Sequence, residues 1–166
     1  MKSVLTKVTP TPTNTFTGSW AWLFPVTYLA HIAEEYWGGF PAWIARFWGV
    51  ESSSANFLAW NGGALAMMCV GVVLVLVTKS YRWLLVSFGT TVLINGFVHT
   101  LASVATWSYS PGLVSGLLFF IPLGLFTLRR ARRSVNARTM RAGLIVGVLM
   151  HVGVVLLAFG FARLAA

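Results

Sequence analysis

The sequence predicts an all-α fold, a polytopic membrane helix bundle of five transmembrane helices plus a short interfacial helix. Three observations predict it. Of 166 residues, 57% are hydrophobic and only 9% charged, with a mean hydropathy of +0.79, a composition that excludes the soluble classes. Five apolar stretches approach the roughly 20 residues a helix needs to cross a bilayer. The basic residues gather between these stretches in the alternating pattern of the positive-inside rule.

Residues 1–17 read as a flexible cytoplasmic tail. Lys2 and Lys7 lead into the polar run Thr9-Pro10-Thr11-Pro12-Thr13-Asn14-Thr15, where a cleavable signal would have an apolar core. Residues 18–166 then form a single transmembrane domain. The first span covers about 19–37 and holds Pro25, which predicts a kink. Residues 40–50 carry Trp43, Phe47 and Trp48 beside Arg46, the pattern of a helix lying at the membrane surface. The remaining spans run over about 57–78, 81–107, 112–128 and 140–161. The pairs Gly112/Gly116 and Gly143/Gly147 offer small-residue faces for close helix contact.

Charge orients this set. Lys79 and Arg82 join the second and third spans, and six of the twelve basic residues lie between Arg129 and Arg141, joining the fourth and fifth. The expectation is a multi-pass protein of the cell inner membrane, N-terminus cytoplasmic and C-terminus outside. A net charge of +9 confined to bilayer-flanking loops argues against nucleic acid and for the lipid bilayer as partner. The single Cys69 forms no internal disulfide. Homo-oligomer formation is left open.

Chemistry concentrates in very few residues. The chain has three acidic side chains, Glu34, Glu35 and Glu51, and two of them follow His31 by one helical turn. Positions 31, 34 and 35 share a helix face, and ionisable groups within a membrane mark functional sites. Asn95 and His99 repeat the one-turn spacing in the third span, and His151 lies near the middle of the fifth. Convergence of these groups would create a polar pocket opening outward. Imidazole and carboxylate suit a divalent metal such as zinc, iron or manganese. The candidate ligands are His31, Glu34, Glu35, His99 and His151. Glu35 and Glu34 are also the candidate catalytic acid/base groups, with Asn95 orienting a substrate oxygen. The leading expectation is a metal-dependent enzyme acting on a lipid or other hydrophobic small molecule. The alternatives are a metal-free acid/base isomerase or cyclase of a lipid, and a non-enzymatic proton-linked transporter or lipid-binding protein. A structural reading stands beside them, in which His31 satisfies Glu34 or Glu35 within a buried polar cluster.

The string His31-Ile32-Ala33-Glu34-Glu35-Tyr36, followed by Asn95, His99 and the turn Tyr109-Ser110-Pro111-Gly112, resembles the HXXEE-domain family of small multi-spanning membrane proteins. The resemblance covers the chain from about Ser19 to its end. It implies that His31, Glu34 and Glu35 matter together, with Asn95 and His99 beside them, and it assigns no activity. A looser likeness of architecture, with no shared motif string, runs to the emopamil-binding sterol isomerases.

Overall fold

The computed structural model describes residues 16–164, with side chains through residue 157. Most of the expected tail, including Lys2 and Lys7, lies outside the described residues. The chain enters through a tight 3-10 turn at Ser19–Trp22 and continues as α1, Leu23–Trp37. Pro25 sits in the first turn of α1, where its missing N–H is one of the donors a helix leaves unpaired in any case. It therefore sits at the start of this helix, just after the change from 3-10 to α winding. At 15 residues, α1 is shorter than a span requires. Its C-terminus is set where Gly38 donates to the Glu34 carbonyl and Gly39 turns left-handed at φ 73°.

Helix α2, Phe40–Trp48, follows with Pro41 in its first turn and left-handed Gly49 closing it. Helix α3 covers Ser54–Thr78 and is capped by the Ser53 hydroxyl, which accepts from the Asn56 amide at 3.1 Å. Helix α4 is Trp83–Thr106. Helix α5 runs Leu113–Ser134, with a π turn at Gly116–Phe120 inside it. Helix α6, Ala137–Leu164, starts where the Asn136 side chain accepts from the Thr139 amide. Among the described residues, four helices, α3 to α6, are long and apolar enough to cross a membrane. The expected count of five is corrected to four because the first apolar segment divides into a 3-10 turn and a short helix.

Helix α4 is the axis of the bundle. Its Gly96 crosses Gly116 and Ile121 of α5 so closely that a Cβ on Gly96 would lie 2.9 Å from the Gly116 carbonyl. Gly89 meets Thr127 further along, so α4 and α5 are antiparallel. On the α6 side, Gly143 packs on Val86 and Gly147 on Thr90, and Thr91 Oγ1 donates to the Gly147 carbonyl at 3.0 Å. The Gly143/Gly147 pair is thus the contact stripe of a parallel α4–α6 seam. Of the other pair, only Gly116 serves in helix contact, since Gly112 lies in the turn before α5. Helix α1 runs parallel to α4, with Phe24 against Phe88 at one level and His31 against His99 higher up. Helix α3 is antiparallel, tied to α1 by Tyr28 Oη donating to Asn61 Oδ1 at 2.7 Å.

The buried apolar core (Phe24, Val72, Val75, Leu85, Phe88, Val92, Phe120) fills the space between these helices. Large apolar side chains such as Met67, Val77, Leu101, Leu118 and Leu156 point away from it, as lipid-facing positions do. Two chemically different ends result. The arginine-bearing end of α5 and start of α6 are at one. At the other, the last turns of α1 and α4 meet the start of α5.

Candidate metal centre

Two helices bring three ligand groups to one point. His31 and Glu35 stand one turn apart on the inner face of α1, and His99 faces them from α4. All three are buried, at 1%, 5% and 4% exposure. Glu35 Oε1 lies 3.3 Å from His99 Nε2 and 3.6 Å from His31 Nε2. One ligand atom from each residue falls within 4.8 Å of the others, a spacing at which a single cation can be held. The two imidazoles meet edge to face, centroids 5.0 Å apart. Phe120 covers His31 at 4.3 Å and Phe40 of α2 covers His99 at 5.7 Å, so apolar rings close the site.

Serines hold the far side of each imidazole. Ser115 Oγ is 2.6 Å from His31 Nδ1, and Ser110 Oγ is 3.1 Å from His99 Nδ1. Ser115 Oγ itself donates to the Gly112 carbonyl at 3.4 Å. In the tautomer in which His31 Nδ1–H donates to Ser115 Oγ, Nε2 carries a lone pair; in the other, Ser115 donates to Nδ1 and Nε2 carries the proton. That Nε2 is buried and makes no hydrogen bond. A buried polar atom without a partner is costly, and here it faces a carboxylate and a second imidazole. Outer partners of this kind fix ligand orientation, and their loss commonly costs 10–100-fold in metal affinity. We expect Ser115→Ala and Ser110→Ala each to weaken metal binding by about that factor, read by competition with a chelator. Unchanged affinity in both would refute an orienting role.

The two adjacent carboxylates separate. Glu35 turns inward, whereas Glu34, about 100° further round the helix, reaches the start of α5. Its Oε1 accepts from Tyr109 Oη at 2.5 Å and from the Val114 amide at 2.9 Å, and its Oε2 accepts from the Ser115 amide at 2.7 Å. These amides are donors that a helix N-terminus leaves unpaired, so Glu34 caps α5 from a neighbouring helix and clamps the turn that carries Ser110 and Gly112. Three donors and no acceptor suit an ionised carboxylate. Burial, then the hydrogen bond to Glu34 and its charge, push the Tyr109 phenol up to about 12.

A raised phenol pKa means that this latch is intact below the ordinary tyrosine value of about 10 and weakens as pH climbs through 12. An ultraviolet difference titration of wild type against Tyr109→Phe should show a phenol ionising near 12. In Glu34→Gln it should fall only part of the way back, because burial, the larger cause, remains. A wild-type value near 10 would contradict the latch.

Gly112 forms the roof. Its φ is +99°, and a Cβ there would lie 2.7 Å from His99 Cε1 and 2.8 Å from His31 Cε1. Asn95 and His151 stand apart from the three-residue group. Asn95 is one turn deeper than His99 on α4, and its Oδ1 is buried without a hydrogen bond. Thr91 contacts Gly147 across the parallel α4–α6 seam, so His151, four residues beyond Gly147, comes level with Asn95 and a turn short of His99. Of the five expected ligands, then, His31, Glu35 and His99 converge, while Glu34 and His151 lie outside that group among the described residues. Ser110, Ser115, Phe40 and Phe120 were not anticipated. The only sequence signal near them is the Ser110-Pro111-Gly112 turn itself.

A family model described as a protein of unknown function with HXXEE motif matches residues 22–127. The match contains His31, Glu34, Glu35, His99, Ser110 and Ser115, and it ends before α6 and His151. No curated protein and no solved structure matches the chain.

Proposed function

The chain belongs to the HXXEE family, and from that premise we propose that it is an integral membrane enzyme that uses a divalent metal to act on a lipid or other hydrophobic small molecule. The observation that carries this reading is the buried, unpartnered Nε2 of His31, aimed at the carboxylate that also faces His99 Nε2. His31 Nε2, His99 Nε2 and a Glu35 oxygen would hold the ion, a donor set suited to zinc, iron or manganese. When bound, such an ion supplies Lewis acidity and lowers the pKa of water.

The protein's own contribution is positioning. Ser110 and Ser115 keep both imidazoles in register. Phe40 and Phe120 exclude bulk water and present apolar surface to a hydrophobic substrate. Glu34 organises the turn above the site. The free Oδ1 of Asn95, one turn below His99, is available to orient a polar group of the substrate or a water. The positive-inside rule puts the arginine-bearing end at the cytoplasmic face of the inner membrane, and hence the metal centre toward the outer face.

Elemental analysis of the detergent-purified protein tests the reading. Near-stoichiometric zinc, iron or manganese is expected in wild type and loss of it in His99→Ala. A folded wild type that takes up none of these after incubation with each would overturn the metal reading. The His99–Glu35 pair at 3.3 Å would then stand as an acid/base couple for proton transfer.

A further inference from the structure

Among the described residues, no acidic side chain lies near Arg129, Arg132 and Arg133 at the end of the bundle opposite the metal centre. The chain's three carboxylates, Glu34, Glu35 and Glu51, all lie at the metal-centre end: two in the last turn of α1 and one in the connection from α2 to α3. Arg129, Arg132 and Arg133 lie at the far end of α5. The 17 residues from Ser115 to Arg132 separate the two ends by roughly 25 Å at the α-helical rise. That is about three Debye lengths at physiological ionic strength, so the carboxylates do not neutralise these arginines. Arg132 and Arg133 complement the negative end of the α5 dipole, which accounts for part of the charge only.

The arrangement is more specific than a basic loop. Positions 129, 132 and 133 fall within one 100° arc of α5, and their side chains border a cleft of about 440 Å³. Arg130, on a different face, lies 5.7 Å from the Trp20 ring and 5.8 Å from the Phe126 ring. The sequence thus splits one run of arginines into a residue packed on aromatic rings and three turned to a common opening. Guanidinium groups present paired donors that match phosphate oxygens. The cleft sits where the apolar run of α5 gives way to arginines, the point at which a spanning helix would meet lipid headgroups.

We infer that Arg129, Arg132 and Arg133 form a binding site for the phosphate of an anionic phospholipid in the leaflet at the arginine-bearing end. The site is independent of the metal centre. The phosphate takes paired N–H donors from the guanidinium groups, and the acyl chains lie along the exposed apolar faces of α5 and α6.

Retention of phosphatidylglycerol against phosphatidylcholine, measured by native mass spectrometry of protein released from mixed nanodiscs, tests this. The triple variant Arg129→Lys/Arg132→Lys/Arg133→Lys keeps every charge that orients the helices and removes the paired donors. Wild type should prefer the anionic lipid by at least about tenfold, and the triple variant should lose most of that preference. The control Arg138→Lys/Arg141→Lys should keep it. The single variant Arg132→Lys should show an intermediate loss, and it carries the test if the triple variant melts early. Preference retained in the triple variant would mean diffuse charge only and would overturn the site. So would equal loss in the control. Displacement of the lipid by free glycerol phosphate at comparable concentration would assign the cleft to a soluble phosphorylated ligand and overturn the lipid assignment.

Discussion

If the proposed metal is held as described, the Glu35→Gln variant is expected to lose it and Glu34→Gln to keep it. The two residues are neighbours in sequence and chemically identical, yet their surroundings differ. Glu35 is buried between two imidazoles at 3.3 and 3.6 Å, and its charge is the only anionic contribution to the three-residue group. A structural metal in a small site is worth about 10–16 kcal/mol in total. One of three ligands, and the charged one, should therefore account for a loss on the order of 1,000-fold in affinity or more. Glu34 accepts its three hydrogen bonds at the start of α5. Its neutralisation should slacken the turn and lower the melting temperature, with metal affinity falling by no more than about 10–100-fold, as for other groups that orient ligands. Metal titration against a chelator, run beside thermal unfolding in detergent, separates the two. The reverse pattern, an empty Glu34→Gln beside a loaded Glu35→Gln, would refute this geometry.

Gly112→Ala should be among the most damaging single-methyl changes in the protein. The backbone there is left-handed, which costs a residue with a Cβ about 1–2 kcal/mol. The added methyl would also press into both imidazoles at under 3 Å, and overpacking of this kind costs about 1–3 kcal/mol. The sum, about 2–5 kcal/mol, is comparable with a large part of a domain's net stability. The rings cannot retreat freely, because Ser110, Ser115 and Phe120 hold them from other sides. Metal affinity should therefore fall together with stability. Gly62→Ala is the matched control: a methyl there meets no atom within 4 Å, and in mid-helix alanine is favoured over glycine. A Gly112→Ala protein that melts like wild type and binds metal normally would show that the roof is not closed.

Much of the bundle was legible because apolar length and loop charge are local properties. The expected spans 57–78, 81–107 and 140–161 lie close to Ser54–Thr78, Trp83–Thr106 and Ala137–Leu164. The first segment was misjudged because hydropathy does not register a change from 3-10 to α winding, and because Pro25 is harmless at a helix start yet disruptive in its middle. The pairing of His31 with Glu35 follows from one-turn spacing. Assigning different tasks to Glu34 and Glu35 does not, since both fall within a turn of His31. What separates them is the start of α5, some 80 residues away in sequence. Ser115 is equally out of reach: its contact with His31 spans 84 residues, and an isolated serine in an apolar stretch carries no signal of its own.

The π turn at Gly116–Phe120 has a bearing on how this chain can vary. Such turns amount to one additional residue wound into an α-helix and recur at functional sites. Here the extra residue lets Ser115 and Phe120, five positions apart, both lie against His31. Leu117, Leu118 and Phe119 between them are exposed, so their identities are free to drift among apolar types. Their number is not. Removing any one would rewind the segment and turn Gly112 and Ser115 about 100° away from the imidazoles, while the arginine face beyond kept its place. Across relatives, this stretch should vary in spelling and hold constant in length.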